Sequence, residues 1–160
     1  MLKMKQTDSM GEVTDAPLDV KQFLTYQMAR VQAKLNAQAA AILKRHSKLS
    51  LVQWRVMTLL ASGGDNLTSI CRLSGMDKGQ VSRKLTQLVS QGLVLTRLDE
   101  ADHRSQKLSL SEKGEELHAR ILPIMRARQA HLASDMSDDE QAMLRELLLR
   151  LEVAAEQREF

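Results

Sequence analysis

A short polar and basic stretch between Asp77 and Thr86 holds the most distinctive chemistry of this 160-residue sequence. Apolar residues within and just after it recur at helical spacing, so they share one face of a helix. The opposite face then carries Lys78, Gly79, Gln80, Ser82, Arg83 and Thr86. Such groups can donate to guanine, pair with adenine through an amide, or bind phosphate, so the pattern predicts a helix that contacts double-stranded DNA.

We make more specific predictions for three positions on this helix. Gly79 has no side chain, which lets its backbone approach DNA closely. Gln80 has two alternatives, because its amide either contacts a base or turns back to cap the helix at Asp77. Lys84 adds a further positive charge to the predicted DNA-binding set. The alternative for the whole face is an ordinary solvated helix surface.

A helix-turn-helix is predicted to position this face. The first helix is expected over Leu67–Ser74, and Gly75 then turns the chain. The second helix is capped by Asp77 and lasts until Gln91, where Gly92 suits the left-handed conformation that ends helices. Two short helices joined by a short turn containing glycine are the signature of this motif.

A β-hairpin is predicted after Gly92. Leu93–Leu98 is apolar and β-prone, Asp99–Gln106 is a charged tip, and Lys107–Leu110 alternates as a strand does. From residue 66 to residue 107 the chain has seven basic and four acidic residues, so this quarter carries the whole formal net charge of +3. A local positive surface of this kind is what phosphate binding requires.

Long amphipathic helices are predicted on both sides of this module. The first begins at Asp19, and a second short helix follows over residues 50–60 after a capping box. A further helix opens at Ser111 and is expected to be interrupted or bent near Pro123, and a leucine-rich last helix opens at Ser137. The long first helix and the leucine-rich last helix exceed what the module needs, which predicts dimerisation. A larger monomeric core is the alternative.

Four short motifs recur in the same order as in a known family. They are Met76-Asp-Lys-Gly-Gln-Val-Ser-Arg83, Leu88-x-x-x-Gly92-Leu-Val94, Asp99-x-x-Asp102-His-Arg104 and Leu110-Ser-Glu-Lys-Gly114. Together they resemble the MarR family of bacterial regulators, in motif detail from Leu51 to Leu117. The resemblance implies a homodimer whose terminal helices intertwine and whose two winged modules read a pseudo-palindrome. It also implies, as in many members, release of DNA when a small and often phenolic molecule binds.

The resemblance assigns roles to the predicted hairpin tip. Arg104 is similar to the family's arginine that enters the minor groove, and Asp102 is the residue that orients it. A narrow minor groove concentrates negative potential, which attracts arginine. His103 stands where many relatives have arginine, so we expect the wing either to hold phosphate less strongly or to bind DNA more tightly below about pH 6.5, as the imidazole gains charge. An ordinary exposed pair between Asp102 and Arg104 is the alternative.

The predicted fold is therefore mainly α with a small β-hairpin wing. A flexible arm at residues 1–17 precedes one domain at 18–160, which comprises a winged helix-turn-helix at about 48–117 and dimerisation helices at about 18–45 and 118–158. The predicted function is a homodimeric repressor on a pseudo-palindromic operator, released by a small phenolic or other organic effector. The alternative is a winged helix that binds only protein, but such a surface more often exposes apolar anchors than Lys78, Arg83, Lys84 and Arg104.

Enzymatic, metal and cofactor functions are not expected. The histidines fall in separate segments, and neither a phosphate loop nor a nucleophile elbow is present. The four are His46, His103, His118 and His131. The single cysteine, Cys71, excludes an intramolecular disulfide and is expected to be a buried thiol, with neighbouring Ile70 and Leu73 also pointing inward.

Membrane association is not expected either. The sequence has no run of about 18 apolar residues, and residues 1–17 are polar without a signal-like stretch. We therefore expect a cytoplasmic protein. Trp54 and Tyr26 are expected in the core or in an interface rather than in a ligand pocket.

Overall fold

The computed structural model describes residues 19–98 and 106–157, which are helical apart from one β-hairpin. The helices are α1 (Leu24–His46), α2 (Leu51–Ala61), α3 (Leu67–Ser74), α4 (Lys78–Ser90), α5 (Glu112–Ala133) and α6 (Asp138–Glu156). Strands β1 (Val94–Leu98) and β2 (Gln106–Leu110) pair antiparallel between α4 and α5. The prediction of a mainly α fold with a helix-turn-helix and a hairpin wing is confirmed.

The chain divides into two compact units, residues 1–36 and residues 37–160. In the first unit, the predicted helix from Asp19 begins only at Leu24, after a 3-10 turn at Val20–Gln22. The Asp19 side chain accepts a hydrogen bond from the Lys21 amide, and Phe23 adopts an extended backbone (ψ 127°), which separates the turn from α1. The start predicted for the first helix was therefore too early.

The second unit has an aliphatic core to which α1, α2, α3, α4, β1 and α5 all contribute. Its fully buried side chains are Leu43, Val56, Met57, Ile70, Val81, Leu88, Val94 and Ile121. Each such side chain contributes about 1.5–3 kcal/mol of hydrophobic stabilisation. Trp54 is buried beside them, as expected of a core residue.

Reciprocal caps begin three of the helices. Ser50 Oγ accepts from the Gln53 amide and the Gln53 side chain accepts from the Ser50 amide at 2.9 Å. Asn66 makes the equivalent exchange with Ser69 at α3, and Ser137 with Glu140 at α6. A cap of this kind contributes about 1 kcal/mol. The predicted starts of α2, α3 and α6 are confirmed.

Two side-chain predictions were wrong, and one of the two alternatives for α5, an interruption, is excluded. Leu73 is 56% exposed, because α3 has only eight residues and its buried stripe is occupied by Ile70. Cys71 is half-buried rather than buried. Helix α5 is not interrupted at Pro123 but continues to Ala133, with Ile121 fully buried just before the proline.

Candidate nucleic-acid interface

Helix α4 is held against the core by its predicted apolar face. Val81 and Leu88 are fully buried, and Leu85 and Val89 pack partly buried against the same cluster. The turn before it depends on Gly75, whose φ of +62° lies in the left-handed region that glycine adopts without strain. The polar face of α4 therefore points away from the core.

The structure brings the predicted residues of α4 together at its N-terminal half. Lys78, Gly79, Gln80 and Arg83 are exposed, and Ser82 and Lys84 are half-buried. Lys84 Nζ donates to Gln87 Oε1 at 3.2 Å. The remaining predicted residues, Asp102, His103 and Arg104, lie outside the described part of the chain.

The two alternatives for Gln80 differ in the direction of its side chain. The Asp77 carboxylate accepts from the Gln80 backbone amide at 2.9 Å, so Asp77 caps α4 as predicted. No reciprocal bond from the Gln80 side chain to the Asp77 amide is found among the described residues. Its amide group therefore remains available for an external partner.

Gly79 lies between two charged side chains. A Cβ built there would be 3.1 Å from Asp77 Oδ1 and 3.6 Å from Arg83 Nη1. The Arg83 guanidinium is thus beside the exposed backbone of Gly79, which concentrates donor groups at the start of α4.

The hairpin adds a second basic surface. Arg97 and Lys107 are both exposed and face each other across the two strands. Two cationic residues directly opposite one another concentrate positive charge on this face of the hairpin. Sequence reasoning counted both in the local net charge but did not place them in the site.

The base of the hairpin is fixed to the helix-turn-helix. The Leu108 amide donates to the Asp65 carbonyl at 2.6 Å, just before α3. Directly after β2, Ser111 donates through its amide to the Leu93 carbonyl at 3.1 Å and through Oγ to the Gly92 carbonyl at 2.6 Å. These bonds set the position of the hairpin relative to α3 and α4.

A groove of about 390 Å³ lies between α4 and the hairpin. Lys78, Ser82 and Thr86 line its α4 side, and Gln106 of β2 lines the other. Thr68, in the first turn of α3, also reaches it. No sequence signal marked Thr68, because its role depends on how α3 and β2 meet in space.

The histidines form no metal site within the described residues, where no group of three potential ligands is found. His118 stacks on Trp54 with ring centroids 4.9 Å apart and an interplanar angle of 17°. Burial, with a smaller contribution from the nearby Arg126 charge, lowers the pKa of His118 below 6.5. His46 and His131 are exposed. None of the described helices is long and apolar enough to cross a membrane.

Comparisons with known proteins agree with this geometry. Residues 47–105 match the model of the MarR family. A protein of Bacillus cereus (strain ATCC 10987 / NRS 248), described as an uncharacterized HTH-type transcriptional regulator, is 32% identical over 83 residues. The match covers 51% of this chain and 54% of that protein, so the chain spans about half the length of this curated relative.

Solved structures share the fold at low identity. A MarR/EmrR family transcriptional regulator from Acinetobacter sp. ADP1 aligns with a TM-score of 0.82 and 23% identity, covering 88% of this chain and 99% of that one. The S. aureus MepR–DNA complex aligns with a TM-score of 0.77 and 16% identity, covering 86% and 99%. Residues 47–105 of this chain are thus similar to the MarR family, and the chain shares the winged helix-turn-helix fold of these solved structures.

Proposed function

We propose that this chain regulates transcription by binding double-stranded DNA in a sequence-specific manner through α4 and the hairpin. The observation that carries the proposal is the exposed polar and basic face of α4 together with the basic surface of the hairpin. Exposed Lys78, Gln80 and Arg83 lie on α4, and the Arg97–Lys107 pair lies on the hairpin. A related fold is known in complex with DNA, that of MepR.

The proposed contacts follow from the chemistry of each side chain. The second helix of a helix-turn-helix lies in the major groove with its N-terminal residues against base edges. Arg83 suits the guanine edge and Gln80 the adenine edge, while Lys78 and Lys84 suit phosphates. At Gly79, which has no side chain, the backbone of α4 can approach the DNA closely. Ser82 adds a hydroxyl at the groove. At the hairpin tip, Arg104 is proposed to enter the minor groove, Asp102 to orient it and His103 to contact DNA, as the family resemblance implies.

We propose that the active form is a homodimer. Helix α6 has no buried residue in the single chain, yet it exposes several large apolar side chains. They are Met143, Leu144, Leu147, Leu148, Leu149 and Val153. The first unit likewise exposes Val20, Phe23, Leu24, Met28 and Val31. Apolar surface of this extent is typical of an interface. A two-fold dimer would place two α4 helices about one DNA turn apart, roughly 34 Å, which suits a pseudo-palindrome.

We further propose that the protein is a cytoplasmic repressor that releases DNA when a small phenolic or other organic molecule binds. Two buried polar atoms, Thr58 Oγ1 on α2 and His118 Nε2 on α5, have no hydrogen-bond partner among the described residues. A buried polar atom without a partner costs about 1–3 kcal/mol. A small hydrogen-bonding molecule between α2 and α5 would supply partners, which supports this region as the effector site.

Selection of bound sequences from random duplex DNA, followed by affinity measurements over a range of salt concentrations, tests DNA binding. We expect nanomolar affinity that falls steeply as salt rises, because phosphate contacts release counterions. Arg83→Ala should weaken binding to the selected site about 5- to 150-fold, equivalent to about 1–3 kcal/mol, and relax preference at one base position. Arg145→Ala, an exposed arginine on α6, is the matched control and should leave the affinity unchanged.

Two results would contradict this proposal. The first is the absence of salt-dependent binding to any selected duplex, which would favour the alternative of a winged helix that binds only protein. The second is an equal loss of affinity in Arg83→Ala and Arg145→Ala. Screening small phenols and acids for release from the best site then tests the effector separately.

A further inference from the structure

A cleft of about 620 Å³ at the far end of α4 collects positive charge. Five cationic side chains line it: Lys44, Arg45, Lys48, Lys113 and Arg120. No aspartate or glutamate is among its lining residues. The cleft reaches Gln91, which follows the last residue of α4, and α4 has 13 residues. At about 1.5 Å per residue, the DNA-reading end of α4 is roughly 20 Å away.

No carboxylate in the described part of the chain neutralises the charges in this cleft. Within residues 19–98 and 106–157, no ion pair joins any of the five cations to a carboxylate. Lys113 Nζ donates to the Gln91 carbonyl at 2.8 Å, a contact that leaves its charge uncompensated. Like charges gathered in one place repel each other and destabilise the compact chain. Such an arrangement is favourable when an anion occupies the space between them.

Stabilisation of helix ends accounts for only part of the cluster. Lys44 and Arg45 lie in the last turn of α1, where positive charge complements the helix dipole. Lys113 lies in the first turn of α5, where the dipole disfavours a cation. Lys48 lies between α1 and α2, and Arg120 lies within α5. Lys113 nevertheless donates to the Gln91 carbonyl at the C-terminal end of α4, so two of the five cations, Lys48 and Arg120, have no helix-capping reason to be there.

The floor of the cleft is apolar. Leu49 and Leu93 are buried core residues, and Leu117 is half-buried beside them. A volume of about 620 Å³ falls within the range of about 300–1,000 Å³ that small-molecule sites occupy. An apolar floor with a cationic rim suits a ligand that has both an apolar body and an anionic group.

We propose that this cleft binds a small organic anion, with its apolar body on the three leucines and its phosphate or carboxylate group at the cationic rim. His118 and Thr58 are not among the residues that line the cleft, so this site differs from the proposed effector region between α2 and α5. A ligand here would join the α1–α2 connection to α5 and, through the Lys113–Gln91 bond, to the end of α4. Binding requires no DNA, so the proposal stands whether or not the chain binds an operator.

The full chain without DNA should be titrated with 1-naphthyl phosphate and with 2-naphthoate, by calorimetry and by amide NMR shifts. The two probes distinguish a phosphate from a carboxylate preference. We expect at least one of them to bind saturably, one per chain, with the largest shifts at residues 44–49 and 113–120. Neutral 1-naphthol and inorganic phosphate should each bind at least about tenfold more weakly, because each lacks one half of the required chemistry.

Charge variants locate the site. Lys44→Gln combined with Lys48→Gln should weaken binding at least about tenfold, since a charge-assisted hydrogen bond contributes about 1.5–3 kcal/mol. Lys34→Gln combined with Arg145→Gln removes the same charge from exposed positions outside the cleft and should bind as the wild type does. Unchanged thermal melts show that both pairs fold. Failure of the wild type to bind either anion, or equal weakening in both pairs, would overturn the proposal.

Discussion

Replacing Gly114 with alanine tests how closely α5 packs against the start of the hairpin. Gly114 is buried in the first turn of α5, and a Cβ there would overlap the Leu93 carbonyl oxygen and lie 3.5 Å from Leu110 Cβ. Helix propensity alone would make alanine more stable by about 1 kcal/mol. Overpacking against a backbone atom, which cannot rotate away, costs up to about 3 kcal/mol. We therefore expect Gly114→Ala to lower the free energy of unfolding by about 2 kcal/mol.

The assay is denaturant and thermal unfolding at one fixed protein concentration, because the stability of a dimer depends on concentration. A loss of about 2 kcal/mol corresponds to a fall in Tm of about 4–8 °C for a chain of this length. Gly79→Ala is the matched control, since its closest neighbour is the carboxylate of Asp77 at 3.1 Å, a side chain that can move. It should change stability by less than about 1 kcal/mol. If Gly114→Ala were as stable as the wild type, the close packing inferred between α5 and the Leu93 carbonyl would be wrong.

Three further predictions concern ionisation and association. The fold lowers the pKa of His118, so as the pH falls below 6.5 this imidazole gains a proton more readily in the unfolded chain than in the folded one. The free energy of unfolding should therefore decrease in this pH range. His118→Phe should flatten the decrease in urea titrations between pH 5 and 7. An unaltered slope would show that His118 does not cause it. Operator affinity should rise below about pH 6.5 in the wild type but not in His103→Ala, and identical pH profiles would remove His103 from the DNA contact. Sedimentation equilibrium of the wild type should give twice the chain mass of 18.0 kDa. The double variant Leu147→Glu, Leu148→Glu should give the mass of one chain. If the double variant remained a dimer, this face of α6 would be excluded from the interface.

The starts of α2, α3 and α6 were predictable because they depend on local hydrogen bonds. Ser50, Asn66 and Ser137 each cap a helix through partners three residues away, and a pattern of that length is visible in the sequence. The buried face of α4 was predictable for a similar reason, since the spacing of Val81 and Leu88 fixes which side of a helix faces the core. The exposed polar face of α4 then follows by elimination.

Features that depend on how distant segments meet were not predictable. Periodicity alone placed Leu73 inward, but a helix as short as α3 buries only a narrow stripe and leaves it exposed. The cationic cleft joins Lys48 to Lys113 and Arg120, which are far apart in the chain. Neither the net charge of a segment nor any local motif could have indicated that they converge.

The hydrogen bonds at the base of the hairpin have a consequence for how this protein could be redesigned. Leu108 is tied to Asp65, and Ser111 is tied to Gly92 and Leu93, so both strands are anchored below the tip. A loop grafted between Leu98 and Gln106 would therefore start and end at fixed points, whatever its length or composition. The sequence between these two points could therefore be exchanged while the core and α4 keep their native sequence.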